Sequence, residues 1–269
     1  RNEVYRRTLS QTHSKKRMEI KVWRTSCENP FQTGSKVVKS KKMLYTYAIR
    51  IWKRIRTQEV TMGRYLNPGM ESFEKSVNSE IYVDKTGLVG YTNRVMNTLQ
   101  GYVCVSRPRR FGKSMAANML TAYYSRGCDS REIFSKFEIS ESPDFEKYRN
   151  KYNTIFLNMQ EFLSRSDSVE VLVDRVKKLV LRDLKREYPD VDYFDDTDLV
   201  ESMQDIYETE KCPFVVIIDE WDCIFREFRQ NKEAQEKYLD FLRDLLKDKA
   251  CIHLAYMTGI LPIKKYGTH

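Results

Sequence analysis

The chain has 269 residues, of which 41% are apolar, so it can bury the core of one large domain or two small ones. It contains no stretch of about 18 consecutive apolar residues and no short apolar run near its first residue, so we expect neither a membrane-spanning helix nor a secretory signal. The six cysteines form no Cys-x-x-Cys pair, which argues against a zinc site or a disulfide framework and predicts a cytoplasmic protein with reduced thiols.

The net charge of +9 belongs to the first part of the chain. Residues 1–61 contain 16 Lys and Arg against 4 Asp and Glu, which leaves 31 against 34 for residues 62–269. The larger part is therefore slightly acidic. Its composition gives no support for a general nucleic-acid-binding face, although a local basic groove stays open.

Residues 1–61 form a basic leader without a sustained helical or strand period before Lys41. The codons for residues 58–62 can contain AGGAGG shortly before the ATG of Met62, as in a bacterial ribosome-binding site. We therefore hypothesise that Met62 is the natural first residue and that the leader is disordered or translated upstream sequence. The alternative is a basic amphipathic helix in KKMLYTYAIRIWKRIR that lies on an anionic membrane or on nucleic acid. In either case residues 62–269 form one domain.

From Tyr102 onward, short apolar runs rich in β-formers alternate with helical patterns, which is typical of an α/β fold with a mainly parallel sheet. Four strands are predicted, at YVCVS (102–106), TIFLNM (154–159), FVVIID (214–219) and IHLAYM (252–257). Apolar residues at helical spacing predict helices after Ser114, over 169–184, over 199–210 and over 238–246. The polar, acidic stretch 188–198 predicts a loop.

The stretch RPRRFGKS, residues 107–114, joins the first predicted strand to a predicted helix. A bound triphosphate requires backbone N–H groups at a helix N-terminus, a lysine, and a hydroxyl that holds magnesium. We therefore predict that Lys113 reaches the phosphates and that Ser114 ligates Mg²⁺. The predicted nucleotide contacts are Arg109, Arg110, Phe111, Gly112, Lys113, Ser114 and Met115.

Arg107 stands where the full pattern G-x-x-x-x-G-K-[ST] has its first glycine. A positive φ at this position would strain an arginine, so we expect the loop to turn in a different way, helped by the fixed φ of Pro108. Arg107, Arg109 and Arg110 either add charge-assisted bonds to phosphate or are simply solvated; the sequence leaves both open.

A second motif, VVIIDEWD, is an apolar strand that ends in two acids. Magnesium-assisted phosphoryl transfer uses such a pair, with Asp219 holding the metal through water and Glu220 orienting or deprotonating the attacking water. The alternative is an acidic helix cap after a core strand. Trp221 and Asp222 receive no role from the sequence.

A third motif, MTGILPIKK, follows the last predicted strand. Thr258 is predicted to bond the attacking water or the γ-phosphate, and the alternative is a simple turn at Thr258 and Gly259. His253 lies within the strand, where we expect it to be packed rather than catalytic. The predicted catalytic residues are thus Glu220, Lys113 and Thr258, and the predicted metal ligands are Ser114 and Asp219.

At these motifs the chain resembles the bacterial predicted AAA-ATPase-like family, whose members look like P-loop ATPases of the additional-strand class. The matching stretches are IYVDKTGLV (81–89), SRPRRFGKS (106–114), IIDEWD (217–222) and TGILPIKKYG (258–267). Arginine at the head of the loop is the usual form in that family. The resemblance implies a three-layer P-loop sandwich in which the strand 252–257 lies between the Gly-Lys-Ser strand and the Asp-Glu strand. It assigns Lys113 and Ser114 to Walker A, Asp219 and Glu220 to Walker B, and Thr258 to the sensor.

The resemblance also implies ATP and Mg²⁺ as cofactors and ATP hydrolysis as the activity. Family members often continue into a helical lid and a PD-(D/E)XK-type nuclease domain. Because only 11 residues follow Thr258, we expect both to be absent, and no arginine finger or lid sensor can be assigned.

The sequence therefore leaves three functions open. The first is an ATPase that drives an effector domain, with assembly into an oligomer left open. The second is a nucleotide-gated switch that binds ATP, turns over negligibly alone, and passes its state to a partner. The third is a DNA-binding module that uses the leader and the cluster 107–110.

Overall fold

The computed structural model describes residues 63–261. The predictions for the basic leader 1–61 and for a start at Met62 lie outside these residues, as does the end of the third motif after Leu261. No helix within 63–261 is long and apolar enough to cross a membrane. The helices are α1 (Glu71–Val77), α2 (Gly87–Val95), α3 (Lys113–Tyr124), α4 (Arg131–Phe134), α5 (Phe145–Tyr148), α6 (Met159–Leu163), α7 (Val169–Glu187), α8 (Leu199–Glu210), α9 (Cys223–Glu227) and α10 (Lys232–Leu246), with a 3₁₀ turn at Glu138–Glu141.

Four parallel strands form one sheet, in the order β1-β4-β3-β2. They are β1 (Tyr102–Ser106), β2 (Asn153–Asn158), β3 (Phe214–Asp219) and β4 (Ile252–Gly259). The predicted parallel α/β fold is confirmed. β4 lies between β1 and β3, which is the placement that the family resemblance implies.

The sheet separates two hydrophobic cores, and β3 contributes to both. Val216 and Ile218 pack on one side with α7, α8 and α10, whereas Val215 and Ile217 pack on the other side with α3 and the helices before β1. All six residues of β3 are buried. A central parallel strand covered on both faces has no polar side, which explains why its sequence shows no alternation.

The long predicted helices follow local signals in the sequence. The Ser168 hydroxyl accepts a bond from the N–H of Val171 at the start of α7, and Lys178 pairs with Asp174 one turn away at 2.7 Å. The Asp198 side chain accepts bonds from two N–H groups at the start of α8. Residues 188–198 contain neither helix nor strand, as predicted.

Three predicted strand boundaries are wrong by one or two residues, the first of them the start of β2, which is Asn153 and not Thr154. β2 ends at Asn158, because the Asn158 side chain accepts a bond from the N–H of Glu161 and begins α6. β4 continues to Gly259, because β1 pairs with its last residues through Val105 opposite Thr258. Thr258 therefore lies inside the strand and does not follow it.

Candidate functional site

The loop between β1 and α3 presents the start of a helix without a side-chain cap. Gly112 is the N-cap residue of α3, at φ 73°, and no side chain bonds the first N–H groups of the helix. These N–H groups have no intrahelical acceptor and carry the positive end of the helix dipole. Helix N-termini of this kind favour anions, and the sequence predicts a phosphate at this one.

The loop turns at Arg110 and not at Arg107. Arg110 has φ 71°, in the left-handed region that is costly for a residue with a Cβ, whereas Arg107 is not among the described residues with positive φ. The Arg107 N–H donates to the Gly259 carbonyl at 3.1 Å, which fixes the head of the loop to the end of β4. Arginine is thus accommodated at position 107 because the unusual backbone conformation occurs three residues later.

Lys113 and Ser114 differ in exposure. Lys113 is 7% exposed, and its ammonium donates to the Pro108 carbonyl at 3.0 Å, so the side chain bends back across its own loop. Ser114 is exposed. A buried lysine with only a carbonyl as its hydrogen-bond acceptor has its charge incompletely balanced, and an anion would complete its coordination.

Asp219 and Thr258 form a buried pair at the carboxyl ends of neighbouring strands. The Thr258 hydroxyl donates to Oδ1 of Asp219, and both residues are at most 1% exposed. The pair is possible because β3 and β4 are adjacent and in register up to Ile218 and Met257. The geometry gives Thr258 a definite partner, the first of the two acids.

Glu220 has left-handed backbone geometry, with φ 57°. Its carboxylate pairs with the guanidinium of Arg226, and both side chains are largely buried, at 21% and 12% exposure. Neither Glu220 nor Asp219 caps a helix, since Asp222 is the N-cap of α9 and makes no capping bond with its side chain. Strained backbone in a largely buried turn is more common at functional sites than elsewhere.

Asp222, which received no role from the sequence, holds the segment that follows β4. It is 0% exposed, and its Oδ2 accepts the N–H groups of Ile260 at 2.9 Å and Leu261 at 2.7 Å. The backbone N–H of Trp221 donates to the Thr258 carbonyl at 3.0 Å. The turn after β3 is therefore bonded both to the end of β4 and to the residues that come next.

A cavity of about 540 Å³ brings the loop and the second acid together. Its volume falls within the range of small-molecule sites. The lining residues are Arg109, Arg110, Gly112, Lys113, Ser114, Met115, Asn158, Gln160, Glu220, Arg226 and Glu227. Residues about one hundred positions apart in the chain thus share one site.

Three of the predicted site residues do not line this cavity. Phe111 is 63% exposed and points to solvent, while Asp219 and Thr258 lie buried beyond the cavity surface. Arg107 also lies outside the lining, whereas Arg109 and Arg110 belong to it.

Sequence reasoning missed four residues that line the cavity, and one of them had a detectable signal. Asn158 is the last residue of β2 and is in register with Asp219, so it lies at the same edge of the sheet. A polar residue at the end of a buried strand is that signal. Gln160, Arg226 and Glu227 follow their strands by a few residues, and no motif marks them.

The oxygen donors near the cavity suit magnesium. The Ser114 hydroxyl and the Asp219 and Glu220 carboxylates are hard ligands of the kind that Mg²⁺ takes, together with substrate phosphates and water. Residues 63–261 contain no cluster of three or more His, Cys, Asp or Glu side chains that would hold a metal without such help. The donor set therefore fits a magnesium ion that arrives with a polyphosphate.

His253 does not line the cavity. It is half-buried, and its ring lies near those of Tyr152 and Tyr207, at 6.4 and 6.1 Å between centroids. Burial lowers the pKa of its imidazole below the ordinary value.

Comparison with known proteins shows which family the chain belongs to. No curated protein matches the chain. A family model described as Predicted AAA-ATPase matches residues 67–268, which is most of the chain and includes the loop, both acids and Thr258. The chain therefore belongs to the predicted AAA-ATPase family.

Proposed function

We propose that this chain binds ATP with Mg²⁺ in the cavity between the loop and the turn after β3, and that it hydrolyses ATP there. The observation that carries the proposal is the shared cavity, lined by the start of α3 on one side and by Glu220 on the other. Membership of the ATPase-like family supports the choice of ligand.

Each predicted residue has a distinct role in this proposal. The N–H groups from Gly112 to Met115 bind the phosphate oxygens, and Lys113 leaves the Pro108 carbonyl to add its charge. Ser114 ligates the metal and Asp219, which lies beyond the cavity surface, holds it through water; the metal offsets phosphate charge when bound. Thr258 orients Asp219 through their hydrogen bond, and Glu220 orients the attacking water.

The strand order supports assignment to the additional-strand class of P-loop ATPases, to which AAA proteins belong. In the described sheet β4 separates the loop strand β1 from the acidic strand β3. Thr258, on the inserted strand, is thereby placed beside Asp219.

The test is nucleotide binding followed by single-turnover hydrolysis in the full chain. Calorimetry should show heat when Mg·ATP is added to the wild type, and Lys113→Met should abolish it. Glu220→Gln should retain ATP binding but slow hydrolysis by about 100-fold. A surface variant, Glu236→Gln, serves as the matched control. No heat with the wild type would refute the proposal.

The Arg226 ion pair favours a second function, a nucleotide-gated switch with negligible turnover alone. Arg226 bonds one oxygen of Glu220 and makes the carboxylate a weaker base toward water, so an effector or partner that separates the pair would raise activity. Wild type and Glu220→Gln would then bind ATP equally and hydrolyse it at the same negligible rate.

A further inference from the structure

The stretch IYVDKTGLV brings a second lysine to the phosphate-binding loop. The Lys85 ammonium donates to the Phe111 carbonyl at 3.3 Å. It also lies so close to Gly112 that a Cβ built on that glycine would overlap it. The positive φ of Gly112 is what favours glycine there, since the Lys85 ammonium ends a flexible side chain and could move away from a Cβ.

The residues on either side of Lys85 are fixed to the structure. Asp84 accepts the N–H of Thr86 at 2.7 Å and, through its other oxygen, the N–H of Glu138 at 3.1 Å. The Thr86 hydroxyl is buried and accepts the N–H of Ile139 at 3.3 Å. Two anchored neighbours hold the intervening backbone in place, so the fold keeps the start of the Lys85 side chain within reach of the loop.

The cations at this loop lack acidic partners. Within residues 63–261 no carboxylate lies in ion-pair distance of Lys85, Lys113 or the three loop arginines. Lys85 and Lys113 each donate to a loop carbonyl, Phe111 on one side and Pro108 on the other. A neutral carbonyl is a weaker partner for an ammonium than an anion is, so both lysines are available to a polyphosphate.

We propose that Lys85 is a second phosphate-binding lysine of this site, which exchanges the Phe111 carbonyl for a phosphate oxygen when nucleotide binds. This inference rests on the proposed function, because it assigns one more contact to the same ligand. It also gives the stretch 81–89, which has neither a catalytic acid nor a glycine loop, a direct role in binding.

The decisive variant is Lys85→Gln, because its amide N–H can still donate to a carbonyl but carries no charge. If Lys85 only fastened the loop, this variant would bind ATP as the wild type does. If Lys85 binds phosphate, Lys85→Gln should weaken Mg·ATP binding by about 10- to 100-fold, and Lys85→Arg should recover part of the loss. Lys75→Gln, an exposed lysine on α1, is the matched control and should bind normally.

Calorimetry with Mg·ATP and with inorganic tripolyphosphate measures the effect, and circular dichroism confirms that each variant is folded. Tripolyphosphate should lose affinity by a similar factor, since the contact is with phosphate. Unchanged affinity of Lys85→Gln for both probes would overturn the inference while leaving ATP binding intact. Failure of the wild type to bind either probe would instead refute the proposed function.

Discussion

Arg226 pairs with Glu220 at the edge of the cavity, six residues further along the chain. The same guanidinium lies 3.7 Å from Asp222 and 3.5 Å from Gln160, so one arginine links three residues of the turn after β3 and its surroundings. Glu220, the residue proposed to orient water, is therefore held by a cation of its own chain.

Replacement of Arg226 by Met should raise single-turnover ATP hydrolysis. Loss of the ion pair frees the Glu220 carboxylate to act as a stronger base toward water, and a barrier lowered by about 1 kcal/mol corresponds to a rate about fivefold higher. Arg243→Met, which removes an exposed pair with Asp240 on α10, is the control and should leave the rate unchanged. A slower reaction in Arg226→Met would show that the arginine assists hydrolysis and does not restrain it.

Replacement of Thr258 by Val should weaken both stability and catalysis. The change keeps the shape of the side chain but removes the donor to buried Asp219, which should lower the free energy of unfolding by about 1–2 kcal/mol. Hydrolysis should fall as well, because Asp219 loses the group that orients it. Urea denaturation and single-turnover assays measure the two effects.

Thr121→Val is the matched control for this change. Thr121 is 4% exposed, and its hydroxyl donates to the Ala117 carbonyl within α3, so it makes no bond to an acid. The control should cost less stability than Thr258→Val. Equal losses of unfolding free energy in the two variants would mean that the bond to Asp219 stabilises the protein no more than a bond within a helix.

The loop and the acidic strand could be predicted because their chemistry is local. Gly112, Lys113 and Ser114 are consecutive, and Asp219 directly follows an apolar run, so short spacings carry the signal. The strand order was available only through the resemblance, since nothing in the spacing of four strands says that β4 lies between β1 and β3.

The remaining site residues could not be predicted because tertiary packing brings them in. Lys85 meets the loop through bonds that Asp84 and Thr86 make to the segment around the 3₁₀ turn, over fifty residues away in sequence. Arg226 meets Glu220 because the backbone reverses at Glu220, which has a left-handed conformation. No glycine or asparagine stands there to predict that conformation from the sequence. Asp222 binds N–H groups that are 38 and 39 residues distant.

Replacement of Asp222 by Ala should detach the segment after β4 from the turn after β3. Its Oδ2 accepts two backbone N–H groups in a buried setting, so their loss should cost about 2–4 kcal/mol of unfolding free energy. Asp222→Asn, which keeps one acceptor oxygen, should cost less. Asp240→Ala on the exposed face of α10 is the control, and hydrogen exchange at Ile260 and Leu261 shows whether the effect is local. Protection of these amides in Asp222→Ala equal to that in the wild type would contradict the assignment.

The half-buried imidazole of His253 should make the protein less stable in mild acid. Burial lowers the pKa of the folded-state imidazole, so the unfolded chain binds the proton more tightly, and unfolding is favoured as the pH falls through the ordinary histidine range. The stability that the neutral imidazole allows is complete above the pKa that His253 has in the unfolded chain. It is lost as the pH falls from that value through the lower pKa of the folded state. Urea denaturation at about pH 7.5 and about pH 5.5 should show a larger loss of stability for the wild type than for His253→Gln. Because both proteins share every other titrating group, the difference between their pH dependences isolates His253, and identical dependences would show that its proton affinity does not change on folding.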